Sequence, residues 1–250
     1  IDMSLWESPD VYEPTFTGAA AGATRWDDER GSIRKDEFNG FKVDLLFSVA
    51  GAMRSGDLHK CSQLDFVFTG RVRVITREHG EDVKREYGPN SFISIPPATP
   101  HLFLFLEDTH MAEWWDGEFR VWYFRPYRVQ VEASRCILRY YQAVNAGSVE
   151  GMLGECSAGV EVTFPDASRN WSTVEVARTK FTGMFQSLKG MHAEIAFESC
   201  ECVGTSVVLS WRAHFTAEGY DAHRRMVYTV TDGKIARIEH HDVSDTDTES

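Results

Sequence analysis

The last extended segment of the sequence, GKIARIEHHDV, carries a histidine and a carboxylate two residues apart. Side chains alternate between the two faces of a strand, so His240 and Asp242 share a face with apolar Ile238, whereas His241 lies on the other face. The Asp242 carboxylate could then orient the His240 imidazole, a side chain suited to proton transfer near neutral pH. This pair is a candidate acid–base site, and an exposed strand end is the alternative interpretation.

The composition indicates a globular protein of 250 residues, with 42% hydrophobic and 26% charged residues. Its 26 basic and 38 acidic residues give a net charge of −12, which disfavours nucleic acid and acidic membranes as partners. No segment approaches the ~18 to 20 apolar residues of a membrane span. The five cysteines are odd in number and lack zinc spacing, so we expect free thiols and a cytoplasmic location.

The first half of the chain has the pattern of a β protein. Short apolar or alternating runs between Phe38 and Tyr127, such as LDFVFTGRVRVITRE and HLFLFL, are separated by glycines and Pro89. Many short strands with turns between them predict an antiparallel barrel or sandwich. We place this unit at residues 38–128, after an N-terminal extension at 1–37.

The second half changes to helices followed by strands. A first helix is predicted from Ser134 as N-cap to a stop at Gly147, and a second after Ser172 or Thr173. Three extended segments follow, the last two joined by an Asp232-Gly233 turn that is typical of a hairpin. This order predicts an α+β unit at 134–245, after a linker at 129–133 and before an acidic tail at 246–250.

Two segments of the first unit resemble the cupin motifs. GDLHKCSQ, residues 56–63, and Gly70 are similar to the first motif, which contains two His, a Glu and a turn Gly, and PPATPH at 96–101 is similar to the second, which ends in His. His59 and His101 match motif histidines, whereas Asp57 stands at the first His position and Gln63 replaces the Glu. The resemblance implies a cupin-type β-barrel.

The cupin resemblance leaves three uses of these residues open. In metal-binding cupins the four matching side chains bind one divalent ion, so His59, His101, Asp57 and Gln63 would hold iron, zinc, manganese or nickel. HKxxQ at 59–63 also resembles the sugar-nucleotide ketoisomerase type of cupin, in which imidazoles move protons without a metal and no other cofactor is needed. In the third interpretation the two histidines are hydrogen-bonded barrel residues without chemistry.

The second unit resembles the nuclear-transport-factor-2-like cone with a curved antiparallel sheet, especially its SnoaL-like branch. The segments that carry this resemblance are RYYQAVNAGSVEGML near the start and GKIARIEHHDV at the end. It implies a cavity between helices and sheet. Strand alternation turns His240 and Asp242 toward this cavity, and with Tyr141 of the first helix they are the catalytic candidates. The same resemblance implies four substrate-binding residues: Asp166, Asn170, Trp171 and Trp211.

Together the two resemblances imply a protein that binds a small molecule. The expected activity is isomerisation, cyclisation or elimination by proton transfer on a polyketide-, terpenoid- or sugar-like substrate. A metal-dependent cupin oxygenase and a non-catalytic binding or scaffolding protein are the alternatives. Both folds often pair through sheet surfaces, so a homodimer is expected.

Overall fold

The computed structural model describes residues 3–14 and 24–243 of the chain. The chain divides into two compact units, with the division between Val131 and Glu132. The predicted acidic tail at 246–250 lies outside the described residues. Among the described helices none is long and apolar enough to cross a membrane.

The first unit consists of strands in two six-stranded antiparallel sheets. Its strands are β1 (Val11–Tyr12), β2 (Arg25–Asp28), β3 (Gly31–Phe38), β4 (Phe41–Ser48), β5 (Met53–His59), β6 (Gln63–Thr69), β7 (Val72–Glu78), β8 (Glu81–Tyr87), β9 (Phe92–Ile95), β10 (His101–Phe105), β11 (Thr109–Trp115) and β12 (Val121–Phe124). One sheet has the order β1-β12-β5-β10-β7-β8 and the other β2-β3-β4-β11-β6-β9. Successive strands alternate between the sheets from β4 to β7 and from β8 to β12, so residues distant in sequence face one another across the core.

The second sheet begins earlier in the chain than predicted. Strands β2 and β3 pair with each other and β3 pairs with β4, so part of the segment 1–37, predicted as an extension, belongs to the first unit. The alternation is weak there because most side chains are polar and at least half-exposed. A strand at a sheet edge with one solvated face needs few apolar residues, which explains why its pattern is hard to detect.

The second unit combines three helices with one six-stranded sheet. Its elements are α1 (Arg125–Asn145), which crosses the division between the units, α2 (Val149–Glu155), β13 (Cys156–Thr163), β14 (Trp171–Ser172), α3 (Val174–Ser187), β15 (His192–Val203), β16 (Ser206–Ala217), β17 (Tyr220–Thr231) and β18 (Lys234–Asp242). The sheet order is β14-β13-β18-β17-β16-β15, antiparallel except for the β13–β18 pair. The predicted fold class, a β unit followed by an α+β unit, is confirmed.

The helix predicted from Ser134 begins nine residues earlier, at Arg125. Residues 129–133, predicted as a linker, are therefore helical. Pro126 is pre-organised for the first turn of a helix, and Tyr127 and Val131 supply buried apolar residues four apart. The Asp232-Gly233 turn between β17 and β18 is confirmed, and both of its residues have positive φ, as a type I′ hairpin requires.

Candidate functional site

A cavity of about 430 Å³ lies between the two sheets of the first unit. Strand alternation turns Asp57 and His59 of β5 and Gln63 of β6 into this interior, where all three are buried. His101, the first residue of β10, pairs directly with Asp57 on β5 and is fully buried. The fold therefore brings together the four residues that the cupin resemblance indicated, from three strands.

Gly56 allows the bend in β5 that precedes Asp57. Its φ of +76° is a conformation that glycine adopts without strain. A Cβ at this position would lie 3.1 Å from the backbone of Arg128. The glycine of the motif thus permits a close backbone approach next to the site.

The polar atoms of these four side chains converge on one another. Gln63 Oε1 lies 3.1 Å from His59 Nε2 and 3.0 Å from His101 Nε2. Asp57 Oδ1 lies 3.2 Å from His101 Nε2 and 3.6 Å from His59 Nε2. Ligand atoms of Asp57, His59 and His101 are all within 4.8 Å of one another.

The other ring nitrogens show where the imidazole protons are. Nδ1 of His59 faces the carbonyl oxygen of Arg120 at 3.3 Å, and Nδ1 of His101 faces that of Thr99 at 3.0 Å. A carbonyl oxygen can only accept, so each Nδ1 donates and each Nε2 of a neutral ring presents a lone pair. Burial lowers the pKa of both imidazoles, that of His101 to about 3, and so keeps the rings neutral.

When Asp57 is ionised, four acceptor atoms consequently face one another. Gln63 turns its oxygen to both rings because its amide nitrogen donates to Asp65 Oδ1 at 3.2 Å. Asp57 Oδ1 is buried without a hydrogen-bond partner, and burial raises the pKa of this carboxyl to about 7. Two imidazole nitrogens, a carboxylate and an amide oxygen form a donor set that suits a divalent metal ion. The residues present therefore fit the metal that the cupin resemblance implies.

Three further carboxyl groups of this cavity were not predicted from the sequence. Glu113 on β11 pairs directly with Asp65 on β6 and with Asp44 on β4, so the three form one row across the second sheet. Burial raises the pKa of each, and that of Glu113 further through the neighbouring carboxylates, against the opposing charge of Arg54. Like charges directly opposite on a sheet repel, so burial and repulsion both favour the protonated forms of these carboxyl groups.

The second unit has its own cavity, of about 590 Å³. Four residues predicted from its sequence line this cavity: Asp166, Trp171, His240 and Asp242. The ring of His240 stacks on Phe164 with centroids 4.3 Å apart. Burial, and then the cations Arg224 and Arg169, lower the pKa of His240 to about 4.

The partners expected for His240 are engaged elsewhere, which corrects the predicted arrangement. Asp242 is opposite Arg224 in the β17–β18 register and pairs with it at 3.3 Å. The Tyr141 hydroxyl accepts a 2.7 Å hydrogen bond from the Tyr228 hydroxyl in the core. His240 thus has neither of the predicted partners as a hydrogen-bonding neighbour.

Two of the predicted substrate-binding residues have structural contacts instead. Asn170 Oδ1 accepts a hydrogen bond from the backbone N–H of Phe164 and holds the turn before β14. Trp211 is fully buried and packs edge-on against Phe197. Asp166, although it lines the cavity, caps the turn through Ser168.

Replacing His240 by Phe should remove one source of acid sensitivity. The folded-state pKa of about 4 lies below the unfolded value of 6.5, so the unfolded chain binds the proton first and stability falls as the pH drops from 6.5 to 4. At about 1.4 kcal/mol per pH unit, wild type should lose about 3 kcal/mol more than His240→Phe in this window. Urea unfolding at pH 7 and pH 4 measures the free energy of unfolding of each protein, and hence the loss. His192→Phe, at an exposed histidine, is the control and should lose as much stability as wild type. Equal losses of stability in wild type and His240→Phe would contradict a buried neutral His240 ring.

Comparison with known proteins finds a family model that matches part of the second unit. Residues 137–238 match the model of the SnoaL-like domain. A domain of unknown function with a cystatin-like fold from Nostoc punctiforme is similar at 15% identity, covering 45% of this chain and 75% of its own, with a TM-score of 0.40. A comparison with curated protein sequences finds no match.

Two larger proteins are similar in structure to part of this chain. Oxalate decarboxylase of Bacillus subtilis, described with Mn(II) centres, shares 17% identity over 41% of this chain and 32% of its own, with a TM-score of 0.34. The capsular polysaccharide assembling protein CapF of Staphylococcus aureus shares 20% identity over 40% of this chain and 32% of its own, with a TM-score of 0.35. The chain thus spans about a third of each. The match at residues 137–238 confirms the SnoaL-like prediction for the second unit, and the two sheets of the first unit confirm its predicted antiparallel β architecture.

Proposed function

We propose that the first unit is a metal-dependent enzyme domain that acts on a small organic molecule by proton transfer. The observation that carries this proposal is the set of four atoms that face one another as acceptors when Asp57 is ionised. His59 Nε2, His101 Nε2, Asp57 and Gln63 Oε1 would hold the metal. Bound there, a divalent metal supplies a Lewis acid that polarises a substrate carbonyl oxygen.

The walls of the cavity favour a small, partly apolar substrate. Aromatic side chains line the space beside the histidines, and Trp115 and Phe119 pack with ring centroids 4.2 Å apart. Phe119 also lies against His59, with centroids 5.0 Å apart. Such walls suit an apolar part of a substrate beside the histidines.

Glu113 is the group that we propose as acid and base. Its carboxyl lines the cavity with His59, and its pKa is raised, as suits a carboxyl group that both takes up and releases a proton. The row with Asp44 and Asp65 would let a proton taken from a substrate carbon be shared among neighbouring oxygens. These features support isomerisation or elimination next to a carbonyl; oxidation at the same metal is the enzymatic alternative.

The second cavity supports a more general role. Aromatic and methionine side chains line it together with cationic residues, so we propose that it binds a small molecule without assigning chemistry to His240. A non-catalytic role for both units is the remaining alternative. A homodimer and a cytoplasmic location stay predictions from the sequence.

Hydrogen–deuterium exchange into simple carbonyl compounds tests the proposal. Metal-loaded protein is incubated in D₂O with a panel of ketones, aldehydes and 2-oxo acids, and exchange beside the carbonyl is followed by NMR. We expect exchange in at least one compound, lowered by roughly 10²- to 10⁴-fold in Glu113→Gln. Glu107→Gln, an exposed matched variant, should leave it unchanged. Exchange unaffected by Glu113→Gln, or none across the panel, would contradict proton transfer in this cavity.

A further inference from the structure

The outward face of the second unit's sheet carries a cluster of two histidines and two carboxylates outside both cavities. His214 on β16 and His223 on β17 are directly paired across the strands, and their rings stack 4.1 Å apart at 11°. Asp221 lies two residues before His223 on the same face, and Glu194 on β15 pairs with His214. We call these four residues the outer-face cluster.

The ligand atoms of this cluster point toward one another. Asp221 Oδ1 lies 3.1 Å from His214 Nε2 and 3.9 Å from His223 Nε2. Ligand atoms of these three residues are all within 4.8 Å of one another. In a tetrahedral zinc site with ~2.1 Å bonds, neighbouring ligand atoms are about 3.4 Å apart. Shifts of less than about 1 Å in exposed side chains would therefore complete the geometry.

We infer that the outer-face cluster is a second metal site, for a transition-metal dication of the zinc type. His214 and His223 would bind through Nε2 and Asp221 through its carboxylate. Two imidazoles with one carboxylate select zinc, nickel or copper over calcium and magnesium, which prefer oxygen ligands alone. Three protein ligands leave the fourth position to water or to a ligand from solution.

Glu194 places a carboxylate near the other ring nitrogen of His214, beyond hydrogen-bond distance. Its Oε2 lies 4.0 Å from Nδ1 of His214, the ring nitrogen on the side away from Asp221. A carboxylate there favours the proton on Nδ1, which leaves Nε2 free to bind the metal. Glu194 is thus a positioning residue.

The surrounding charges do not compete for these groups. Arg212 and Arg225, which flank the histidines on this face, both pair with Glu198, at 2.9 Å and 3.0 Å. Strand alternation turns Ala213 and Phe215 to the opposite face. The outer-face cluster lies on three paired strands, β15, β16 and β17, whose backbone fixes the spacing of the ligands.

Zinc titration by calorimetry of the full chain tests this site. We expect two zinc ions per chain in wild type, one of which is lost in His214→Ala/His223→Ala while far-UV circular dichroism stays unchanged. His59→Ala/His101→Ala should lose the other, so the two sites fail independently. His192→Ala, an exposed histidine of the same sheet, is the matched control.

Glu194→Gln separates the positioning role from simple negative charge. Zinc affinity of the outer-face cluster should fall about 10-fold in Glu194→Gln and stay unchanged in Glu201→Gln, which is exposed on the same strand. Equal zinc stoichiometry in wild type and His214→Ala/His223→Ala would overturn the inference. Equal affinities in the two glutamine variants would overturn the role of Glu194.

Discussion

Replacing His101 by Ala should lower the affinity of the first unit for divalent metal at least about hundredfold. Changes to groups that only orient a metal ligand cost 10- to 100-fold, so loss of a ligand should cost at least as much. His101 is fully buried, with Nε2 turned to Gln63 and Asp57. Competition with a chromophoric chelator measures the affinity.

The control for this prediction is a histidine remote from the cavity. His79 lies in an exposed turn with a φ of +51°, so His79→Asn keeps a residue that tolerates this conformation. We expect wild-type affinity in His79→Asn. A His101→Ala protein that folds and binds metal as wild type does would exclude the proposed ligand set.

Replacing Asp57 by Asn should stabilise the metal-free protein by about 1 to 3 kcal/mol and at the same time abolish tight metal binding. The buried Asp57 Oδ1 has no hydrogen-bond donor, and an unsatisfied buried polar group costs this much free energy. An asparagine Nδ2 would donate to the facing imidazole nitrogens and fill the missing contact. Urea unfolding in the presence of a chelator measures the change.

Addition of metal should reverse the order of stabilities. Wild type gains free energy from a ligand that binds only the folded state, whereas Asp57→Asn has lost that ligand set. Asp36→Asn, a control at a half-exposed aspartate outside the cavity, should behave as wild type in both conditions. If Asp57→Asn were the less stable protein under chelation, the four side chains would form an ordinary hydrogen-bonded core.

The site in the first unit could be predicted because its residues lie in two short contiguous motifs. GDLHKCSQ fixes Asp57, His59 and Gln63 through one strand and the start of the next, and His101 follows a turn. The row formed by Asp44, Glu113 and Asp65 could not be predicted, since it depends on the pairing of three strands that are distant in sequence. A single acid at an inward position of each strand was the signal, and only the register reveals that they are neighbours.

In the second unit, too, the sequence indicated which face of a strand a residue lies on but not its partner across the sheet. Alternation along β18 placed His240 on the same face as Ile238, and His240 lines the cavity. It could not show that Arg224 on the neighbouring strand would pair with Asp242 and that Tyr228 would pair with Tyr141. Local periodicity determines the face of a strand, whereas the partner across the sheet depends on register.

The metal content of the purified protein tests the central claim most directly. The chain is expressed without an affinity tag, in the His214→Ala/His223→Ala background so that the outer-face cluster does not contribute, and is analysed by plasma mass spectrometry after dialysis. The account predicts one equivalent of iron, zinc, manganese or nickel per chain, lost when His59 and His101 are also replaced by Ala. Metal-free protein that also takes up none of these ions on addition, or equal metal in both proteins, would contradict it.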